Sequence, residues 1–384
     1  MFFYYTKYHM RIFLILSFLL AMILGYAAYG QPTTNLRVAL RNPSAMQTYD
    51  GLTAIPWQLI IQSWPGIDSA NLTILCGLKQ EIPYQYEYLG TGKIVNLLVQ
   101  VKIEGGAEME LLLQAGKPMA IKKATYCRYV PERYEDFAWE NDKIAFRAYG
   151  KALENTMENA WGIDVWSKRT SNLVINSWYK TADYHKDNGE GLDYYKVGFT
   201  LGAGGIAAMY ADTLCYASNY IRWEVLDNGP LRSRFRLFHA PFMAGKAEVS
   251  MVREIWIDAG SQLFTNRVTV HVKDADSVDL AVGIRKNTGT EGILLDETNQ
   301  IMAYWNPEEP PHGTIGIGCI FGTGTKRQLT NDKHLLAITR VAHGTSFEYR
   351  TGAVWDKAGH ITSFNLWIKY LMQQKESSVP EVVF

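Results

Sequence analysis

Ile221-Arg-Trp-Glu-Val-Leu-Asp-Asn-Gly-Pro-Leu-Arg-Ser-Arg-Phe-Arg-Leu237 decides the class of fold. Two strand-like runs flank Asp227-Asn228-Gly229-Pro230, a set of turn formers that reads as a β-hairpin. The signature recurs downstream. Residues 248–257 and 263–272 flank Asp258-Ala-Gly260-Ser, and residues 335–341 and 346–354 flank His343-Gly344-Thr345. Residues 278–284, 301–305 and 314–321 read as further strands. Beyond the first hairpin only residues 364–375 carry helical spacing, with Leu366, Tyr370 and Leu371 on one side. Antiparallel strands joined by short turns predict an all-β chain, a large antiparallel β-sandwich rather than a βαβ fold.

Upstream, residues 35–117 read as short strands at 36–40, 72–75, 94–101 and 109–113, with another run opening at Ile55-Pro56-Trp57. They predict a smaller β region over 31–120, ahead of a main sandwich domain over 121–384. Residues 154–160 suggest one or two helical turns, and 173–179 lead into a loop. At the start, Lys7, His9 and Arg11 precede an apolar run over 12–24, and Ala28-Tyr29-Gly30 supplies small residues. That is the pattern of a secretory signal peptide, and the run is shorter than the roughly 20 apolar residues a membrane span needs. A mature chain beginning near Gln31 is expected, periplasmic or secreted.

Lys+Arg 38 balance Asp+Glu 38, and loss of Lys7 and Arg11 with the leader leaves a slight acidic excess. Without a basic run, no nucleic-acid partner is expected, nor a membrane partner once the leader is cleaved. Cys76, Cys127, Cys215 and Cys319 lack metal-type spacing, so buried free thiols are the default, with one or two disulfides open in an oxidising compartment. The chain contains no Gly-x-Ser-x-Gly elbow, phosphate loop, dinucleotide fingerprint or His-Glu-x-x-His.

Chemistry concentrates in Lys180-Thr-Ala-Asp-Tyr-His-Lys-Asp-Asn-Gly-Glu-Gly-Leu-Asp-Tyr-Tyr-Lys-Val-Gly-Phe-Thr-Leu-Gly-Ala-Gly-Gly205. So many ionisable groups do not suit a core strand, because unpaired buried charge is costly. The glycines permit close backbone approach. In an extended chain His185, Asp187, Asp193 and Tyr195 share one face. A second charged and aromatic segment, Trp139-Glu140-Asn141-Asp142, leads into a strand whose Ile144, Phe146 and Ala148 face one way and whose Arg147 and Tyr149 face the other. The catalytic candidates are His185, Asp187, Glu190, Tyr195 and Arg147. Trp139, Glu140, Asn141, Arg169, Lys180, Tyr184, Asp193 and His239 are candidates for holding a substrate. No cofactor is expected, although Asp183, Asp187, Asn188, Glu190 and Asp193 could offer oxygens to calcium, in an order unlike an EF-hand. Aromatic side chains interleaved with charge suit a carbohydrate cleft better than an apolar pocket.

Three motifs carry a resemblance: Arg133-Tyr-Glu-Asp-Phe-Ala-Trp-Glu-Asn-Asp-Lys-Ile-Ala-Phe-Arg-Ala-Tyr-Gly150, Gly162-Ile-Asp-Val-Trp-Ser-Lys-Arg-Thr170 and Tyr184-His-Lys-Asp-Asn-Gly-Glu-Gly-Leu-Asp-Tyr-Tyr-Lys-Val-Gly198. Together they resemble a secreted family known mainly from Bacteroidetes and labelled domain of unknown function 4861. The resemblance spans nearly the whole mature chain. It implies a setting among polysaccharide-degrading, especially pectin-related, proteins and a β-sandwich related to the galactose mutarotase and polysaccharide lyase folds. It brings no catalytic assignment.

The leading expectation is an enzyme on uronate-containing oligosaccharides, acting by β-elimination or by glycoside cleavage. Elimination needs a partner for the uronate carboxylate, for which Arg147 and Arg169 are candidates. It also needs a base, His185 or Tyr195, with Asp187 orienting the imidazole. Glycoside cleavage would draw two carboxylates from Glu140, Asp187, Glu190 and Asp193. A non-catalytic saccharide-binding protein and a mutarotase-like epimerase are the alternatives.

Overall fold

A computed structural model describes residues 35–384 apart from 182, 290, 291 and 323. The expected leader, residues 1–30, lies outside the described residues. The deciding hairpin forms as Arg222–Asn228 and Arg232–Phe238, antiparallel, with Gly229 at φ 74° in the turn between them. It begins a nine-stranded sheet that continues through Ala247–Asp258, Leu263–Lys273, Ser346–Trp355, Ile315–Phe321, Ile301–Trp305 and Gly292–Asp296, with Phe242–Ala244 paired beside Ala247–Asp258. The period-two burial of Ala247–Asp258, with Val249, Met251, Ile255 and Ile257 inward, shows why its sequence alternates.

Two five-stranded sheets oppose this layer. One orders Thr213–Cys215, Ala203–Tyr210, Ser277–Arg285, His334–Ala342 and Thr325–Thr330. The other, called here the site sheet, orders Gly191–Asp193, Ile163–Lys168, Ala145–Ala148, Asp136–Asn141 and Thr125–Val130. A parallel bridge between Ile163 and Gly202 joins them. One core runs through all three sheets, including Phe137, Trp139 and Phe146, then Val282 and Leu335, then Phe235, Phe264 and Val268. The all-β sandwich expected from the hairpins is the architecture observed.

Upstream, the sheet Leu72–Cys76, Gln80–Glu81, Glu108–Ala115 and Asn35–Arg41 and the sheet Tyr49–Pro56, Asn96–Ile103 and Tyr84–Glu87 enclose a separate core around Val38, Ile74, Leu97 and Leu113. The run opening at Ile55 divides. Its strand ends at Pro56 and a helix, Trp57–Ser63, follows. Proline suits that junction, since a helix start needs no N–H there. The long helix Phe364–Glu376 begins where the Ser363 hydroxyl accepts from the Leu366 N–H. It presses Trp367 and Leu371 onto the outer face of the nine-stranded sheet. The chain then returns, and Glu381–Val383 pairs with Asn35–Arg41. Residues 154–160 form turns after a short 3-10 segment, Lys151–Leu153, in place of the expected helical turns. All four cysteines are free, Cys127 and Cys319 buried, Cys76 and Cys215 half-buried.

Candidate functional site

The site sheet sorts its residues by alternation. Phe137, Trp139, Phe146 and Val165 enter the sandwich core, while Ala138, Ala145 and Trp166 belong to a second cluster on the opposite face, under Val174, Ile175 and Trp178. Segment 169–190 lies over that face. Its short helix Ile175–Trp178 stacks Trp178 on Trp166, centroids 5.5 Å apart, and Tyr184 lies 5.2 Å from Trp166. Two ionic clusters sit beneath this cover.

The first is closed. Lys168 Nζ lies 2.8 Å from Glu140 Oε2 and donates to the Asn141 carbonyl at 2.7 Å, while Glu140 accepts from the Val174 and Ile175 N–H groups, both at 2.8 Å. Both side chains are fully buried. Burial lowers the Lys168 pKa, opposed by the Glu140 charge. With its oxygens engaged, Glu140 fastens the covering segment to the sheet.

The second cluster surrounds Arg147, which lies opposite Asp164 in the register. Its Nη2 donates to Asp164 in a very short contact and to Asp193 at 3.3 Å, and its Nη1 lies 3.6 Å from Asp136. Nη1 also meets the Tyr184 hydroxyl at 3.4 Å, and Arg133 Nε reaches the same hydroxyl at 3.4 Å. Asp136 and Asp164 are fully buried, Asp193 nearly so. Burial pushes the Asp136 carboxyl up to about 6 against the pull of Arg147 and Arg133. Burial also raises Asp193 well above the usual carboxylate range, with Asp164 adding to it, and raises Asp164 against Arg147. Burial would lower the Arg147 pKa, but Asp164, Tyr149, Asp193 and Asp136 drive it well upward. Three carboxylates about one guanidinium cannot all remain ionised cheaply out of water.

His185 stands at its solvent side. The side chain is 58% exposed, Nδ1 lies 2.9 Å from the Asp193 carbonyl and 3.7 Å from its carboxylate, and the ring packs 4.4 Å from the Tyr184 ring. A carbonyl only accepts, so Nδ1 carries the proton and Nε2 is the basic nitrogen of the neutral ring. Gly191 makes this possible: its φ is +133°, and a Cβ there would stand 2.0 Å from the Ser167 carbonyl oxygen. That close approach lets the edge strand Gly191–Asp193 pair with Ile163–Lys168 and deliver Asp193 to Arg147.

Arg147, Tyr184, His185 and Asp193 thus come together, and several other candidates do not join them. Trp139 is a correction, because it is fully buried among Phe146, Phe235 and Phe264, where no ligand reaches it. Glu140 is closed by Lys168, and Asn141 is fully buried, donating to the Asp258 and Ser261 carbonyls. Asp187 does not orient His185. It pairs with Arg169, whose guanidinium also covers the Trp355 ring at 4.5 Å, so Asp193 holds the imidazole instead. Glu190 bonds Asn172 at 3.1 Å, and Lys180 is exposed. Burial raises the Tyr195 phenol far above its usual range, which removes it as a base near neutrality. His239 bonds the Ser218 carbonyl at 2.9 Å, and burial with the Arg253 charge pushes it down to about 4, leaving it neutral. Arg147 is a correction as a uronate partner, since its charge already faces three carboxylates. The oxygens considered for calcium serve separate partners: Asp183 takes Lys186, Asp187 takes Arg169, Asn188 takes the Glu190 N–H, and Asp193 takes Arg147. Among the described residues no three His, Cys, Asp or Glu side chains converge as metal ligands.

Asp136, Asp164 and Lys168 were not singled out from sequence. The signal was available in Ile163-Asp-Val-Trp-Ser-Lys168, where period two places Asp164, Trp166 and Lys168 on one face.

A two-layer antiparallel sandwich with a polar cluster beneath one covering loop is the class these features define. The family model Domain of unknown function (DUF4861) matches residues 40–381, and the chain belongs to that family. Uncharacterized protein P7 of Formosa agariphila is 28% identical over 299 residues, covering 72% of this chain and 71% of that protein. A solved protein in glycosyl hydrolase family 38 from Enterococcus faecalis is similar with a TM-score of 0.51 at 9% identity, over 92% of this chain and 47% of that one. An alpha-mannosidase from the same species gives 0.47 at 7% identity, over 92% and 46%. This chain spans about half the length of those two structures, and at such identities the likeness concerns the fold alone. No described helix is long and apolar enough to cross a membrane.

Proposed function

We propose that the protein is an exported carbohydrate-active enzyme, acting on uronate-containing oligosaccharides with His185 as the proton-transfer group. One observation carries the reading: an imidazole whose side chain is 58% exposed has its Nδ1 held by the Asp193 carbonyl, which makes Nε2 its basic nitrogen. Similarity in fold to a family 38 glycosyl hydrolase protein supports a saccharide ligand. In β-elimination, Nε2 takes the proton α to the uronate carboxylate. That electron pair forms the new C=C bond, and the leaving oxygen departs with the C–O pair and takes a proton from water. Arg169, partly exposed at the loop, is the candidate partner for the carboxylate.

Glycoside cleavage fits less well. It needs two carboxylates flanking the bond at roughly 5–9.5 Å, whereas Asp164 and Asp193 are buried and share one arginine nitrogen. Incubation of the purified chain with galacturonate- and glucuronate-containing oligosaccharides tests the proposal, read by mass and by new ultraviolet absorbance. Unsaturated fragments support elimination, and saturated fragments would turn the reading to hydrolysis. Binding without any product would make the protein a saccharide-binding one.

A further inference from the structure

A cavity about 390 Å³ in volume opens beside the strand that delivers Asp193, between residues 194–196, 285–288, 306–309, 313 and 315. The two residues after Asp193 enter its wall. Tyr195 is 6% exposed, and its buried hydroxyl has no hydrogen-bond partner among the described residues. The Tyr194 hydroxyl and Arg285 Nη1 line the same cavity and likewise have none among the described residues. Among the described residues no carboxylate stands within ion-pair distance of Arg285. Buried polar groups left unpaired are rare and costly, so three in one wall call for an occupant.

The neighbouring groups indicate which occupant. Lys196 already pairs with Glu309 at 3.4 Å, and Asn287 bonds Asn306 at 2.8 Å. Those groups satisfy each other, Glu308 on the same wall is exposed to solvent, and the unmatched buried remainder is a guanidinium nitrogen and two phenol hydroxyls. All can donate, and a carboxylate is the acceptor that matches several donors at once. Lys286 joins this cavity to a second one, donating its N–H to the Lys333 carbonyl at 2.8 Å and its Nζ to the Asn331 carbonyl at 3.2 Å. That second cavity holds an aromatic shelf in which Trp161 lies 5.0 Å from Phe199 and 5.1 Å, stacked, from Tyr216, and Phe199 is 55% exposed. Flat aromatic faces suit the C–H faces of sugar rings.

We propose that the Arg285 cavity is a subsite for the carboxylate of an acidic sugar, with the next sugar of the chain lying over the Trp161 shelf. The sugar class rests on the proposed function, but the subsite does not require His185 to be catalytic. Calorimetry of the full chain with galacturonic acid, galactose and inorganic sulfate, repeated on Arg285→Gln and Tyr195→Phe, tests it. Galacturonate should bind and galactose should bind at least about tenfold more weakly, and Arg285→Gln should cost about tenfold or more in galacturonate affinity. Tyr195→Phe should weaken binding while leaving the melting temperature near that of the parent, which covers the case in which Arg285→Gln fails to fold. Equal affinity for galactose, an Arg285→Gln protein that binds unchanged, or no binding at all would overturn the subsite. Sulfate bound as tightly as galacturonate would overturn the sugar assignment. Loss of binding in Arg285→Gln alongside unaffected turnover in His185→Ala would keep the subsite and reject the proton-transfer role.

Discussion

Two charged residues 28 positions apart in the chain meet in the interior and serve one end. Glu140 and Lys168 are both fully buried and each completes the other's bonding, so their role is to hold the covering segment. Glu140→Ala should cost about 3–5 kcal/mol of stability, because it strands a buried ammonium. Replacing both residues with apolar ones of similar size should recover much of that loss. Denaturant unfolding decides it, and a loss of less than about 1 kcal/mol for Glu140→Ala would show that the pair carries little. His185 and Tyr184 could be read from sequence as site residues because charge and aromatic rings were mixed in one glycine-rich stretch. The partner of His185 could not. Asp187 is nearer along the chain, but the loop there pairs it with Arg169, and Asp193 returns on the edge strand.

At the scale of the element, the site sheet turns alternation into chemistry. Its strands give one face to the core and the other to the covering segment, so charge recurring on one face of a strand, as at Asp164 and Lys168, was the readable sign. The hairpins downstream of 221 were equally readable, because strong turn formers bounded them. The depth of Asp136 and Asp164 was not, since no local pattern shows that the segment after Lys168 folds back over the face of the sheet that carries them. Asp136 has a folded pKa of about 6 against an ordinary 3.8. Its contribution to stability is therefore full below about pH 4 and is lost as pH rises through 6, by up to about 3 kcal/mol. Asp136→Asn should remove this slope. His239 and His334, both pushed down to about 4, act in the opposite sense over 6.5 to 4, but they are common to both proteins and cancel in the comparison. Urea unfolding at pH 4 and pH 6.5 measures the difference, and identical slopes would contradict the burial argument. Gly191→Ala tests the same sheet by geometry. With φ at +133° and a backbone oxygen in the way, the edge strand must shift. A fall in melting temperature and a displaced His185 imidazole resonance should follow together, and an unchanged resonance would mean that Gly191 does not set the ring.

For the whole molecule, the sandwich supplies a floor and the 169–190 segment a cover, with the Arg285 cavity opening beside the strand that carries Asp193. The return of Glu381–Val383 to the first strand ties the two ends of the described chain together, a pairing that no local pattern in three residues could announce. Export is proposed from the leader pattern alone, and N-terminal sequencing of the cell-free protein should begin near Gln31, whereas a start at Met1 in a membrane fraction would reject it. The central claim is proton transfer by His185 to or from an acidic saccharide. It is tested most directly by the initial rate at which an acidic oligosaccharide is converted by the parent and by His185→Ala, side by side, with both melting temperatures recorded. The account predicts a fall of about a hundredfold or more with little change in melting temperature, the effect of removing a general acid or base from an exposed loop. Equal rates for the two proteins would contradict it.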